Sequence, residues 1–179
     1  MASFWLDPNT NKRYYLNRPF EYQNVNYTKS GASSTKFTEL GFSEVLIKPR
    51  PNDRYYIVSG PDNAGEYTKT PRSLPDLKTA LTREVKLKSR QLLRKTDWLV
   101  VRKAENDTTI PAAVESFRDN VRTIADDNCT LINNTSTVEE LESLVTASLT
   151  IEDPSNPGTY IANPNALSAM PDEVSGYDY

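Results

Sequence analysis

Short aromatic and apolar runs alternate with turn-forming residues through the first 70 positions of the chain. Twelve of the 17 Phe, Trp and Tyr residues lie there, separated at short intervals by Asn, Asp, Pro and Gly. Such runs, bounded by turn formers, are typical of strands joined by tight connections. We therefore predict a small antiparallel meander over residues 1–72. Its strands are expected at Phe4–Leu6, Tyr14–Leu16, Val25–Tyr27, Val45–Ile47 and Tyr55–Val58, with a short one at Tyr67.

From Ser73 onward the apolar positions follow a helical repeat of about 3.6 residues. Ser73 is a favourable N-cap and Pro75 suits the first turn of a helix. The pattern predicts a helix of about 20 residues, because the repeat continues to Leu92. The apolar stripe consists of Leu74, Leu77, Leu81, Val85 and Leu92.

Two more helices are predicted after a polar loop. Pro111 opens the first, which is expected to end near Asn128. Ser136 begins the second, with Ser136 and Glu139 as a capping box. The intervening run Leu99–Val101 is compatible with either a short strand or a helix. The apolar positions are Val114, Phe117, Val121 and Ile124 in the first of these helices and Val138, Leu141, Val145 and Leu149 in the second.

The last part of the chain, residues 151–179, is rich in Pro, Asn, Ser, Gly and acidic residues. A segment of this composition is predicted to be disordered when alone, so we expect partners to order it. The predicted fold class is α+β. A small N-terminal antiparallel β module (1–72) precedes a helical hairpin or three-helix unit (73–150) and an extended C-terminal tail (151–179).

Charge is distributed unevenly behind a net value of -3. Residues 1–72 hold 10 basic and 7 acidic residues, 73–105 hold 9 and 4, and 106–179 hold 2 and 13. Basic residues on the first long helix form one face. This face is either a solvated surface or a binding site, and its ligand is then an acidic partner or the acidic residues 106–179 of the same chain. Nucleic acid is a poorer fit, because no aromatic residues are interleaved with these charges. The basic face consists of Arg83, Lys86, Arg90 and Arg94.

The residue types limit the chemistry that the chain can perform. Histidine is absent and Cys129 is the single cysteine, which excludes Ser-His-acid and Cys-His nucleophiles and zinc sites built from nitrogen and sulfur ligands. The six glycines form no phosphate-binding loop. Neighbouring acids such as Asp126 and Asp127 remain as candidates for glycan hydrolysis, but adjacent positions on a helix point about 100° apart. We predict no enzymatic activity, no cofactor and no metal.

The N-terminal residues lack the basic and apolar regions of a signal peptide. No window approaches the roughly 18 apolar residues that a membrane helix needs. We therefore expect synthesis in a cytoplasm and no membrane partner.

One ordered motif lies in the helical region. A leucine pair precedes Thr-Asp-Trp at 96–98, an Arg and a Glu follow, and then come Pro111, an aromatic–Arg pair at 117–118 and an apolar–Arg pair at 121–122. This pattern resembles the tail fibre assembly or tail assembly chaperone-like proteins, small proteins encoded near phage tail genes. The resemblance covers about residues 4–146 and includes Leu40-Gly41-Phe42, Asp53–Tyr56, Gly65–Thr68 and Thr137–Leu141.

The motif residues also have a physical interpretation of their own. Trp98 and Phe117 can form the core of a helical hairpin, since both are large apolar side chains. Arg118 and Arg122 stand four residues apart on one helical face, where they can engage Asp97, Glu105 or a partner.

The resemblance implies a non-enzymatic structural or adaptor protein of a phage tail, baseplate or tail fibre, acting through protein–protein contacts. The alternative is a transient tail fibre assembly chaperone that is not retained in the virion. Expected partners are other tail proteins, with self-association as a further option, and the expected location is the virion tail. The chain departs from the family by its extension after Leu149. The candidate partner-binding residues are Arg83, Lys86, Arg90, Arg94, Asp97, Trp98, Arg118, Arg122, Tyr160, Tyr177 and Tyr179.

Overall fold

The chain combines small antiparallel sheets with five helices among its described residues, which confirms the predicted α+β class. The computed structural model describes residues 2–173. It divides the chain into two compact units, Met1–Pro71 and Arg72–Tyr179. The elements of the first unit are β1 (Ser3–Leu6), β2 (Arg13–Tyr14), β3 (Phe20–Tyr22), β4 (Val25–Tyr27), α1 (Ser34–Glu39), β5 (Ser43–Leu46), β6 (Tyr56–Ser59) and β7 (Thr68–Pro71), with one 3-10 turn at Lys29–Gly31.

The strands of the first unit do not form the predicted meander. β1 is the central strand of a three-stranded sheet with the order β2-β1-β5. Trp5 lies opposite Tyr14 on β2, and Phe4 lies opposite Val45 on β5. The pairs β3–β4 and β6–β7 are separate two-stranded ribbons. The prediction was wrong because β1 pairs with a strand about 40 residues away, and local alternation carries no signal for such a pairing.

An aromatic cluster forms the core of the first unit. Trp5, Tyr14, Phe37 and Phe42 are all buried, and the rings of Tyr14 and Phe42 stack with centroids 4.7 Å apart. Phe37 comes from α1, a helix that the sequence analysis missed. Its N-cap Ser33 accepts a hydrogen bond from the backbone N–H of Lys36. α1 buries only one side chain, so it displays no periodic stripe.

In the second unit, two long helices form a packed pair. α2 places Leu77 and Leu81 in the interior, and α4 contributes Val114 and Val121. These positions belong to the apolar stripes predicted from the sequence, and their burial is confirmed. The prediction of Leu149 as a buried helical position was wrong, because α5 ends at Thr146 and Leu149 is 53% exposed. The elements are α2 (Leu74–Arg94), α3 (Asp97–Asn106), α4 (Ala112–Asn134), α5 (Val138–Thr146), β8 (Thr150–Glu152) and β9 (Tyr160–Ala162).

Three details of the helices differ from or settle the predictions. Leu99–Val101 is helical and lies inside α3. α4 does not end near Asn128 but continues to Asn134, and Asn128 is buried within the helix with its side-chain amide bonded to the carbonyl oxygen of Ser168. The capping box of α5 starts one residue later than predicted, since Thr137 is the N-cap.

The region after α5 contains structure that composition did not reveal. β8 and β9 form an antiparallel hairpin, with Ile151 opposite Ile161. Beyond it, Ala166 is only 3% exposed, and the side chain of Asn128 exchanges two hydrogen bonds with the backbone of Ser168, at 2.9 and 2.8 Å. We expected partners alone to hold this segment in place. The bonds between Asn128 of α4 and Ser168 show that contacts within the chain also hold this segment in place.

Candidate functional site

The four basic residues predicted on the first long helix all lie on α2 and are exposed. Among residues 2–173, no carboxylate forms an ion pair with any of them. An exposed charged side chain stays hydrated without an ion-pair partner, so these four cations cost α2 little stability. Their charged groups are available for contact with another molecule. The structure divides the set Arg83, Lys86, Arg90 and Arg94 between two grooves.

Arg83, Lys86 and Arg90 line the first groove, which has a volume of about 730 Å³. Leu87 also lines it and is 44% exposed, so the groove combines positive charge with apolar area. We call Arg83, Lys86 and Arg90 the basic surface.

The same groove contains a fourth cation, Lys78, with a different role. Its ammonium donates to the carbonyl oxygens of Asn133 and Thr135, at 2.8 and 2.5 Å. These carbonyls lie at the C-terminal end of α4, where the helix dipole favours a cation. Lys78 therefore ties α2 to the end of α4.

Arg94 belongs to a second groove of about 750 Å³, together with Trp98. Trp98 is half-buried at the start of α3, and Leu92 of α2 lies beside it in the lining. The ammonium of Lys95, also on this groove, forms an ion pair with the carboxylate of Glu173. The structure thus brings the predicted residues Arg94 and Trp98 together with an acidic side chain from the end of the described chain.

Arg118 and Asp97, both predicted as partner-binding residues, instead contact each other. Arg118 is only 7% exposed and donates to Leu93 O at 2.9 Å, to Thr96 Oγ1 at 2.7 Å and to Asp97 Oδ1 at 2.9 Å. Thr96 is itself buried. These bonds join α4 to the corner between α2 and α3. The guanidinium of Arg118 therefore positions the corner, and burial leaves it little surface for a partner.

Arg122 lies one turn after Arg118 but remains exposed. Its guanidinium pairs with Asp119 at 3.0 Å, and it lines a third groove of about 460 Å³ beside Lys86 and Arg90. Cys129 also lines this groove, where burial raises the pKa of its thiol. A raised pKa keeps the thiol protonated at neutral pH and lowers its reactivity.

The tyrosines proposed for partner contact fall in two places. Tyr160 on β9 is 70% exposed, whereas Tyr177 and Tyr179 lie outside the described residues. The sequence analysis missed the neighbouring apolar pair Ile151 and Ile161, both exposed on one face of the β8–β9 hairpin. The alternation around Ile151 is a signal for a strand, but three residues are too few to identify one.

Two further pairs of neighbouring acids, Glu139 with Glu140 and Glu152 with Asp153, were also candidates for glycan hydrolysis, and one member of each serves local structure. Glu140 accepts hydrogen bonds from the backbone of Ser136 and Thr137 at the start of α5. Asp153 accepts one from the backbone N–H of Ser155 within the β8–β9 connection.

In the part of the chain that the structure describes, no group of three or more Cys, Asp or Glu side chains is arranged to hold a metal ion. Over the same residues, no helix combines the length and apolarity needed to cross a bilayer.

The arrangement provides two adjacent grooves on a helix that α4 holds in place, one basic and one both basic and aromatic. Comparisons with family models, curated proteins and solved structures give no match to this chain.

Proposed function

We propose that the protein is a non-enzymatic structural or adaptor protein of a phage tail, baseplate or tail fibre, which binds an acidic surface of another tail protein through its basic surface. The observation that carries the binding is that Arg83, Lys86 and Arg90 are exposed with no ionic partner among the described residues. The tail assignment rests on the resemblance of the Thr96-Asp97-Trp98 segment and the following arginine-containing helix.

Charge on a rigid helix suits recognition of an acidic partner. A single exposed ion pair contributes only about 0.2–1 kcal/mol, so no one residue of the basic surface suffices for binding. Several cations at helical spacing act together, and complementary charge also accelerates encounter between partners. Because salt screens such contacts, the interaction should weaken as ionic strength rises.

Purified virions provide the direct test. We expect the protein in particles of the phage that encodes it, and a Lys86→Glu, Arg90→Glu double variant should be incorporated about tenfold less. The control is a Lys29→Glu, Arg102→Glu variant, which changes the net charge equally at exposed positions that do not line the groove of the basic surface. Equal incorporation of both variants would contradict the role of the basic surface, and absence of the native protein from particles would reject a virion component.

The alternative is a transient tail fibre assembly chaperone. The exposed apolar side chains of Leu149, Ile151 and Ile161 favour it, because apolar surface can cover an unassembled fibre chain. In that case the protein occurs in infected-cell lysate and not in particles, and a co-expressed fibre protein becomes insoluble without it. Unchanged soluble yield of the fibre protein would reject the chaperone.

A further inference from the structure

The second groove differs from the basic surface because it contains an aromatic side chain. Trp98 and Leu92 supply apolar area, and the cations Lys88, Arg94 and Lys95 line the same groove. Lys88 and Arg94 are exposed, while Trp98 and Leu92 are half-buried. We call this site the Trp98 groove. Trp and Arg side chains are enriched at protein–protein interfaces and among the residues that contribute most to binding.

The position of Trp98 is determined by the corner beneath it. Trp98 follows Asp97, whose carboxylate accepts from Arg118, and Thr96 receives a second bond from the same guanidinium. The corner joins α2 to α3 without a long loop, since α2 ends at Arg94 and α3 begins at Asp97. The backbone that carries Trp98 is thus anchored through its two preceding residues, which reduces the entropy lost on binding.

The groove already holds one carboxylate. Glu173 pairs with Lys95, although these two residues are 78 positions apart in the chain. The contact shows that an acidic side chain fits within reach of the groove. Lys88 and Arg94 remain as exposed positive charges in the same lining, and neither forms an ion pair with a carboxylate of residues 2–173.

We propose that the Trp98 groove binds a segment of a partner protein, and that this segment contains both acidic residues and an aromatic side chain. The aromatic ring packs against Trp98 and Leu92, and flanking carboxylates pair with Lys88 and Arg94. The inference rests on the proposed function only in taking the partner to be another tail protein. It adds a second site of different chemistry next to the basic surface.

A labelled peptide of sequence Asp-Glu-Trp-Asp-Glu, titrated into the full chain by fluorescence anisotropy, tests the groove with purified protein alone. A Lys88→Glu, Arg94→Glu variant should lose about tenfold in affinity, because two attractive pairs become repulsive. The control is Arg18→Glu, Lys29→Glu, which makes the same change in charge at two exposed residues that line neither groove and should bind the peptide with nearly unchanged affinity. An Asp-Glu-Ala-Asp-Glu peptide should bind about tenfold more weakly than the Trp peptide.

Glu173→Gln gives a second measurement that depends on the observed ion pair. The substitution removes one negative charge from the edge of the groove and so reduces repulsion of the acidic peptide, and the affinity should rise about threefold. Equal binding of the Trp and Ala peptides, or equal loss in both charge-reversed variants, would overturn the proposal. A rise in affinity on deletion of residues 174–179, with no rise for Glu173→Gln, would assign the groove to this chain's own C-terminal segment and reject the partner. The virion experiment uses a different pair of cations, so the two proposals fail separately.

Discussion

Arg118 on α4 donates a hydrogen bond to Asp97 on α3 at 2.9 Å, and the same guanidinium reaches the side chain of Thr96. The two partners differ in exposure, since the Arg118 side chain is 9% exposed and that of Asp97 is 56% exposed. The Asp97 carboxylate is therefore partly screened by water, and the buried bonds to Thr96 and Leu93 carry more of the stabilisation.

Arg118→Met tests this corner while keeping the aliphatic part of the side chain. The substitution removes the charged donor from the hydroxyl of Thr96 and from the carbonyl of Leu93, although this carbonyl keeps its bonds from the backbone N–H and hydroxyl of Thr96, so the free energy of unfolding should fall by about 2 kcal/mol. Urea unfolding followed by far-ultraviolet circular dichroism measures the loss. Arg122→Met is the matched control on the same helix, and its exposed pair with Asp119 predicts a change of less than about 0.5 kcal/mol. Similar losses for the two variants would contradict the assigned role of Arg118.

The acid stability of the first unit should depend on Asp7. Asp7 is fully buried, and a hydrogen bond from the hydroxyl of Thr10 at 2.6 Å lowers the pKa of its carboxyl group, with further bonds from nearby backbone N–H groups. A folded-state pKa below the unfolded value of about 3.9 stabilises the fold above that pH, and the stabilisation is lost as pH falls through the folded-state pKa.

The measurement compares denaturant midpoints of the native chain and Asp7→Asn between neutral and acidic pH. The native chain should be the more stable at neutral pH, and its advantage should shrink below about pH 4. Thr10→Val removes the largest cause of the lowered pKa and should reduce the pH dependence. A constant difference between the native chain and Asp7→Asn across this range would show that the charge of Asp7 does not stabilise the fold.

Asn128 should control the docking of the segment that follows the β8–β9 hairpin. Asn128→Ala removes both hydrogen bonds to Ser168, so hydrogen exchange at the backbone amide of Ser168 should accelerate. Exchange in the centre of α2 should stay slow, because Leu77 and Leu81 remain packed. Mass-spectrometric hydrogen exchange on both regions checks the prediction. Unchanged protection at Ser168 would mean that other contacts hold the segment.

The start of α5 distinguishes two possible capping registers. Thr137→Ala removes the N-cap acceptor for the backbone N–H of Glu140 and should lower the free energy of unfolding by about 1 kcal/mol. Ser136→Ala, at the cap position expected from the sequence, should change it by only a few tenths of a kcal/mol. Thermal unfolding of both variants decides the register, and a larger loss for Ser136→Ala would reverse the assignment.

The helical half of the fold was accessible from the sequence to a greater extent than the β half. The stripe from Leu74 to Leu92 identified α2 within a residue of its start, because helical periodicity is a local property. The pairing of Trp5 with Glu44 could not be predicted in this way, since it joins distant segments. α1 was not predicted, because Phe37 is its single buried residue and one apolar position forms no periodic pattern.

The candidate site shows the same division at the level of side chains. Helical spacing predicted Arg83 and Arg94 on one side of α2, but it could not show that they line different grooves. Arg118 and Arg122 share a helical face and look equivalent in the sequence. Only the position of the α2–α3 corner makes Arg118 buried and leaves Arg122 exposed.

The sequence by itself determined the α+β class, the long helices and the basic residues of α2, because these follow from composition, caps and short-range periodicity. Tertiary structure alone decided the β2-β1-β5 order, the burial of Arg118 and the meeting of Trp98 with Glu173 at one groove. Each of these depends on contacts between residues far apart in the chain, which form only when whole elements pack and which leave no periodic signal in the segments that make them.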